Sequence, residues 1–178
     1  CSTCSGATRA STGSRPMLAE NREKQIWGWL ADVPDPEIPI VSVVDLGMIR
    51  NVNVANDAVE IEVSPTYSGC PATEVIESSI LAKLNDEGLA AVSIRRVLSP
   101  PWTTDWISEA GREKLRQYGI APPVGSASKR ELLGKGAVHC PRCGGGQTTV
   151  VSEFGSTACK ASYKCDECLE PFEYFKCI

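Results

Sequence analysis

The chain has 178 residues, of which 42% are hydrophobic and 22% charged, a composition typical of a soluble globular protein with one domain and a small appendage. The net charge of −4 argues against a nonspecific nucleic-acid-binding protein, because binding to phosphates needs a basic face. No apolar run approaches the roughly 18 residues of a membrane span, so the sequence predicts neither nucleic acid nor membrane as a partner.

The N-terminal segment has no hydrophobic periodicity. Residues 1–16 are rich in Ser, Thr and Gly and are predicted to form a disordered leader. Within it, Cys1 and Cys4 have the Cys-x-x-Cys spacing but no partner pair. From about Leu18 apolar side chains recur at helical spacing, and Pro34 should end this helix.

A hairpin and a second helix follow. Residues 49–54 and 59–63 have strand patterns on either side of an Asn56-Asp57 turn, which predicts a β-hairpin. The next helix should begin at Pro71 and stop near Gly88. Its apolar face is predicted to consist of three aliphatic side chains: Ile76, Ile80 and Leu84.

Two further elements complete the first domain. A strand should begin at Val92, and a short helix is predicted over 109–118 with Gly119 as its stop signal. The order helix, two strands, helix, strand, helix indicates an α+β fold over residues 17–120, a small mixed domain with a helix-covered sheet. Residues 121–136 contain Pro, Gly, Ser and Lys without periodicity and are predicted to be a linker.

The C-terminal segment, residues 137–178, carries two matched Cys-x-x-Cys pairs. They are separated by 21 residues and comprise four cysteines: Cys140, Cys143, Cys165 and Cys168. Two such turns can close a tetrahedral zinc site of the ribbon type, and a closed site is structural because it leaves no position for substrate. Two disulfides or a redox pair are the alternative. The spacing also favours a reducing compartment, and we expect a cytoplasmic protein.

Other thiols and His139 lie near the zinc pairs or outside them. His139 adjoins Cys140, but four cysteines already fill the site. Cys159 and Cys177 are left over, and the sequence leaves open whether they are core thiols, additional ligands or a redox-sensitive pair.

Cys70 is the candidate reactive thiol of the first domain. If the helix begins at Pro71, Cys70 is its N-cap residue, where backbone N–H groups favour the metal-binding thiolate.

The alternative for Cys70 is a buried cysteine that packs as a small hydrophobic side chain. Gly69 beside it would let another group approach closely.

Two further loops could carry chemistry. Asp35 and Glu37 lie on a Pro-bounded loop and could serve acid–base chemistry or bind a metal, although such residues more often cap helices and brace turns. A tryptophan-rich loop is a candidate docking surface, with core packing of both rings as the alternative: Trp102, Thr103, Thr104, Asp105 and Trp106.

Several separated motifs together resemble a known family. Three segments are similar to the small domain of SufT-type iron–sulfur assembly factors: Asp35-Pro36-Glu37-Ile38-Pro39, Asp45-Leu46-Gly47-Met48 and Pro65-Thr66…Gly69-Cys70-Pro71. The resemblance narrows to the PaaD (also called PaaJ) family because three further segments match it: the tryptophan-rich loop, Gly119-Ile120-Ala121-Pro122-Pro123 and the terminal ribbon. These are accessory proteins of the phenylacetyl-CoA oxygenase, or epoxidase, system. The resemblance covers residues 18–178.

The resemblance implies a role in aerobic phenylacetate breakdown, where a di-iron oxygenase forms the ring epoxide of phenylacetyl-CoA. A reductase subunit with flavin and an iron–sulfur centre supplies its electrons. By resemblance, Cys70 would transiently hold iron or an iron–sulfur cluster for that subunit, and zinc in the ribbon would be structural. Five residues match the same signature: Asp35, Glu37, Asp45, Gly47 and Thr66.

The sequence itself favours an accessory protein over an enzyme. It lacks a Glu-x-x-His pair for a di-iron bundle and a Gly-x-Gly-x-x-Gly nucleotide fingerprint, and its single histidine argues against hydrolase chemistry. Two alternatives to a maturation factor stay open: a non-catalytic adaptor that holds oxygenase components together, and a thiol-dependent oxidoreductase. The sequence does not decide between a monomer and a homodimer.

Overall fold

The structure, a computed structural model, describes four stretches of the chain: residues 15–55, 58–67, 69–124 and 138–176, with side chains from residue 21 onward. Several predictions concern residues outside these stretches: Cys1, Cys4, the Asn56-Asp57 turn, Cys177 and most of the predicted linker. None of the helices in the described stretches has the length and apolar character needed to cross a bilayer.

The first helix and the hairpin have nearly the predicted bounds. Helix α1 (Arg15–Leu30) includes Arg15 and Pro16, which the sequence assigned to the leader. Strands β1 (Ile49–Ala55) and β2 (Ala58–Val63) pair antiparallel, which confirms the hairpin. The alternating burial of β2 follows from its alternating sequence, because successive side chains of a strand point to opposite faces.

Helix α2 (Thr73–Asp86) covers the sheet through the predicted face. Its side chains Ile76, Ile80 and Leu84 are at most 1% exposed, and each such burial stabilises the fold by about 1.5–3 kcal/mol. Strand β3 (Val92–Arg96) then pairs parallel with β2, so α2 is the crossover connection between them. The three-stranded sheet has the order β1-β2-β3.

Helix α3 (Glu109–Tyr118) has the predicted bounds, with Ser108 as its N-cap and Gly119 at φ 92° as its stop. The next two residues form strand β4 (Ile120–Ala121), which takes in the first residue of the predicted linker, Ala121. The ribbon strands are β5 (Thr148–Ser152), β6 (Lys160–Cys165) and β7 (Pro171–Phe175). Strand β4 joins them in a second sheet of order β4-β7-β6-β5, so the ribbon sheet includes residues that the sequence placed at the end of the first domain and the start of the linker.

The ribbon is packed against the first domain. Phe175 at the end of β7 is 1% exposed and meets the ring of Trp102 edge-on, with ring centroids 6.1 Å apart. Phe175 and Cys159 belong to the core of the first domain, whereas the ribbon has a small core of its own. The α+β fold followed by a ribbon is confirmed, and the two parts are joined through the second sheet and a shared core.

Candidate metal and thiol sites

The four paired cysteines of the ribbon converge on one point. The sulfur atoms of Cys140, Cys143, Cys165 and Cys168 all lie within 4.8 Å of one another. The Sγ atoms of Cys140 and Cys168 are 3.8 Å apart, and those of Cys143 and Cys165 are 3.6 Å apart. A tetrahedron of sulfurs bound to zinc has edges of about 3.8 Å, because the Zn–S bond is about 2.3 Å. The arrangement therefore fits a four-sulfur metal site.

Backbone N–H groups contact two of the four sulfurs and favour the thiolate of Cys165 in particular. The N–H groups of Gly145 and Cys168 donate to the sulfurs of Cys143 and Cys165, each at 3.4 Å. The Cys168 N–H lowers the pKa of the Cys165 thiol to about 7. His139 is exposed, and its Nδ1 lies 3.3 Å from the Gly144 carbonyl oxygen. It is therefore not one of the four converging groups.

Cys70 lies before helix α2 but not at its N-cap. The N-cap residue is Ala72, and the Cys70 carbonyl instead accepts a hydrogen bond from the Thr73 N–H at 3.2 Å. The N-cap prediction is wrong because Pro71 and Ala72 form a turn before the helix starts. Gly69 has a φ of 91°, and a Cβ there would meet nothing within 4 Å. It supplies backbone conformation rather than the predicted room for a close approach.

Cys70 is half-buried and opens onto a surface cleft of about 530 Å³. The cleft lies between the start of α2 and the end of β3, and its lining also includes Pro65, Thr73, Glu74 and Arg96. Cys70 therefore borders a cleft that a ligand can enter from solvent, unlike a cysteine that is enclosed in the core.

Tyr67, three residues before Cys70, lies among ionisable groups from both parts of the chain. Its phenol is within electrostatic range of Cys70, Glu37 and Cys159. Burial, with Cys70 and these two neighbours, raises the pKa of Tyr67 to about 12. The Cys159 thiol donates to Glu37 Oε2 across 3.7 Å. Burial and the Glu37 charge raise the pKa of Cys159 to about 11.

Asp35 shapes the loop that carries Glu37. Its Oδ1 accepts the N–H groups of Glu37 and Ile38, both at 2.9 Å, so it braces a turn. Burial raises the pKa of Asp35 despite these two hydrogen bonds. Asp35 therefore braces the turn, which is the alternative to a chemical role. The side chain of Glu37 instead faces the thiol of Cys159.

Asp45 joins its own loop to helix α3. It accepts hydrogen bonds from the Ser42 N–H at 3.0 Å and from Lys114 Nζ at 2.6 Å, and Ser108 Oγ lies 3.3 Å from it. Burial opposes ionisation, but the Lys114 and Ser42 hydrogen bonds outweigh it and hold the pKa of Asp45 below its usual value. Thr66 is buried as well, 8% exposed. Asp45 therefore braces the scaffold, and Thr66 is part of the buried interior.

We expect Asp45→Asn to lower the free energy of unfolding at pH 7 by about 1–2 kcal/mol, because it removes a charged acceptor from a partly buried network. The depressed pKa of Asp45 contributes stability above the unfolded value near 3.8, and this contribution is lost as the pH falls through the folded value. Urea unfolding at pH 7 and pH 3 should show the difference between wild type and variant shrinking at pH 3. The exposed Asp32, paired with Lys83 at 3.4 Å, provides a control in Asp32→Asn, with an expected loss below about 0.5 kcal/mol. Equal losses in the two variants would contradict the prediction.

The tryptophan loop is mostly structural. Trp102 is 4% exposed and its indole N–H donates to the Leu46 carbonyl oxygen at 2.9 Å, and Thr104 is fully buried. Both side chains are buried in the fold, so they are not exposed for docking as the sequence predicted, and Trp102 follows the core-packing alternative. Trp106 is half-buried beneath the Arg50 guanidinium, which lies 3.4 Å from the ring centroid. Thr103 accepts from the Asp105 N–H and caps the short 3₁₀ turn Thr104–Trp106.

The contact between Glu37 and Cys159 could not be predicted from the sequence. They are 122 positions apart, and no local pattern pairs them. Tyr67 was also given no role, although it precedes Cys70 by three residues. The only signal available was that Cys159 remained unassigned after the four zinc-type cysteines were paired.

Comparisons with known proteins match both parts of the chain. Residues 23–94 match the family model described as "Iron-sulfur cluster assembly protein", and residues 125–176 match the "PaaD zinc beta ribbon domain". A solved structure, "Crystal Structure of Domain of Unknown Function DUF59 from Bacillus anthracis", is 28% identical with a TM-score of 0.52. The match covers 56% of this chain and 95% of that chain. The fold and its cysteine sites thus define an iron–sulfur-assembly-type domain joined to a zinc ribbon.

A relative from Escherichia coli (strain K12) extends over nearly the whole chain. This relative bears the name of a subunit of a "Putative 1,2-phenylacetyl-CoA epoxidase". It is 48% identical over 161 residues, which are 90% of this chain and 96% of the relative. The chain belongs to the PaaD family of phenylacetyl-CoA epoxidase subunits.

Proposed function

We propose that this protein is a non-catalytic accessory factor of a phenylacetyl-CoA epoxidase system that assists iron–sulfur cluster assembly or delivery through Cys70. The observation that carries the proposal is the half-buried Cys70 thiol at an open cleft, within a domain of the iron–sulfur assembly type. The 48% identical relative, which is named as a part of such an epoxidase, supports the link to that system.

The two cysteine sites have different tasks in this proposal. The four ribbon sulfurs would hold zinc, which supplies a fixed structural centre and no open position for cargo. Cys70 would instead bind iron of a transient cluster, since thiolates are the usual ligands of such clusters. Its half-exposed position leaves the cargo accessible to a recipient protein.

The recipient we propose is the reductase subunit of the system, which carries flavin and an iron–sulfur centre, and the setting is the cytoplasm. A cluster handed to another protein has to be bound less permanently than structural zinc. One thiol at an open cleft suits transient binding better than four sulfurs that close around an ion.

We expect Cys70→Ser to lower the cluster content of the reductase subunit in cells. The epoxidase components would be co-expressed with wild type or variant, and iron and acid-labile sulfide measured per purified reductase. We expect a reduction of about tenfold, comparable to the loss of a metal-site residue. Glu74→Gln is the matched control, because Glu74 lines the same cleft without a thiol. A fully loaded reductase with Cys70→Ser would contradict the proposal.

An adaptor role is the second candidate. It is favoured by exposed apolar side chains on the ribbon, of which Val151, Phe154 and Leu169 are 64–68% exposed. Such side chains can anchor a protein partner. Under this alternative, Phe154→Ser would abolish co-purification with the epoxidase components, while Cys70→Ser would leave both co-purification and cluster loading unchanged.

A further inference from the structure

The two metal-binding turns of the ribbon, residues 140–145 and 165–170, have the same backbone hydrogen bond. In the first turn the Cys140 N–H donates to the Gly145 carbonyl oxygen at 2.9 Å. In the second turn the Cys165 N–H donates to the Glu170 carbonyl oxygen at 3.0 Å. The acceptor has the same place in both turns, so the two turns are equivalent position by position and their sequences can be compared directly.

The comparison singles out the residue that follows each cysteine pair. Gly144 follows the first pair with a φ of 77°, and Leu169 follows the second pair with a φ of 65°. This left-handed conformation suits glycine, because the Cβ of any other L-residue crowds the following carbonyl oxygen. Among the residues that the structure describes, Leu169 is the only one other than glycine with a positive φ. The second turn therefore carries a bulky side chain where the first turn has the unstrained residue.

Leu169 gains little within the chain in return for this strain. Its side chain is 64% exposed and belongs to neither of the two buried cores. A single exposed leucine is ordinary on a protein surface. An exposed leucine in a conformation that disfavours leucine is not, because glycine there would remove the strain at little loss of burial. The combination indicates a contact outside the chain.

The surroundings of Leu169 are acidic. Residues 164–170 contain one base and three acids: Lys164, Asp166, Glu167 and Glu170. Glu170 lies 3.5 Å from the Arg142 guanidinium. Asp166 accepts the Thr149 hydroxyl at 2.8 Å, and Glu167 accepts a backbone N–H at 3.2 Å, and these neutral donors leave both negative charges in place. Because charges across an interface are complementary, an apolar anchor with an acidic rim matches an apolar pocket with a basic rim.

We propose that Leu169 anchors a docking surface on the second metal-binding turn. Its occupant is a protein component of the epoxidase system with an apolar pocket rimmed by Lys and Arg. The assignment of this partner to the epoxidase system rests on the proposed function. A second copy of this chain is a poorer match, because its net charge is −4. The ribbon then recognises a partner in addition to stabilising the fold.

Calorimetric titration of the zinc-loaded full-length protein with each purified epoxidase component tests the proposal. Leu169→Gly removes the side chain and the strain, and Leu169→Asn introduces a polar side chain that tolerates the left-handed conformation. We expect both variants to raise the Kd for the bound component at least about tenfold, as loss of an interface anchor does. Their melting temperature and zinc content should not fall below those of wild type. Weaker binding without lower stability is a result that a purely structural leucine cannot give.

Three controls separate the anchor from its surroundings. Leu169→Met retains a large apolar side chain and should bind within about threefold of wild type. Tyr118→Ser removes a side chain on α3 that is 61% exposed, and it should leave the Kd unchanged. In the double variant Asp166→Asn/Glu167→Gln, the amide oxygens still accept the same hydrogen bonds but the charges are lost. Its binding should therefore depend less on salt than that of wild type between about 50 and 500 mM NaCl.

An unchanged Kd in both Leu169→Gly and Leu169→Asn would overturn the inference. Lower melting temperatures in both variants would do so as well, because the leucine would then serve the fold. A wild-type dimer that dissociates in Leu169→Gly would assign the surface to a second copy and overturn the proposed occupant. Failure of wild type to bind any component would also overturn it, and the cluster content of the reductase with Cys70→Ser would decide the proposed function separately.

Discussion

Cys143→Ser is expected to abolish metal binding at the four-sulfur site and to unfold the ribbon. Metal binding in such small modules contributes on the order of 10 kcal/mol of folding free energy, and three sulfurs cannot close the site. The ribbon's own core consists of only a few buried side chains around Cys140 and Cys165, which do not replace the metal. Zinc content should fall from one per chain to none, and the amide NMR signals of β5–β7 should lose their dispersion.

The structure changes the expected fate of the first domain. The sequence alone predicts two independent units, so that the first would stay folded after loss of the metal. Because Phe175 packs on Trp102 and β7 pairs with β4, unfolding of the ribbon should also expose Trp102 and lower the melting temperature of the first domain. Tryptophan fluorescence would report this change.

Cys70→Ser is the control for this experiment, because it removes a cysteine outside the ribbon and should leave the zinc content at one. A folded ribbon with dispersed signals in Cys143→Ser would refute the metal assignment. A first domain with unchanged fluorescence and melting temperature beside an unfolded ribbon would refute the coupling between the two parts.

Gly47→Ala is expected to destabilise the first domain by about 2–4 kcal/mol. Gly47 has a φ of 64°, which disfavours a side chain, and an added Cβ would lie 2.6 Å from Trp106 Cβ and 2.8 Å from its carbonyl carbon. Both Trp106 contacts involve groups close to the backbone, which rotation of a flexible side chain cannot relieve. Overpacking of this kind costs about 1–3 kcal/mol in addition to the backbone strain. Urea unfolding would measure the loss.

Gly88→Ala separates the two causes. Gly88 has a φ of 88°, but a Cβ there would meet nothing within 4 Å, so only backbone strain of about 1 kcal/mol is expected. A Gly47→Ala loss no larger than that of Gly88→Ala would show that the segment around Trp106 yields without cost, contrary to the prediction.

The parts of the site that could be predicted are those that depend on the spacing of residues a few positions apart in the chain. The two cysteine pairs specify a four-sulfur centre because each pair forms one tight turn. Cys70 stood out by its surroundings, but its place relative to the helix was predicted wrongly, since Pro71 is compatible both with a first helical turn and with the turn that precedes one. The sequence could not distinguish the structural roles of Asp35 and Asp45 from that of Glu37, because the hydrogen bonds of all three side chains depend on how the chain folds.

By itself the sequence determined the helices and strands whose apolar periodicity and stop signals agree, such as α3 with Ser108 before it and Gly119 after it. It also determined the four-sulfur centre, because local turn geometry is encoded over a few residues. Only the tertiary structure decided that β4 pairs with the ribbon sheet, that Trp102 packs in the core, and that the Cys159 thiol contacts Glu37. Those contacts join residues far apart in the chain, so their partners are chosen by shape and burial across the whole fold rather than by spacing.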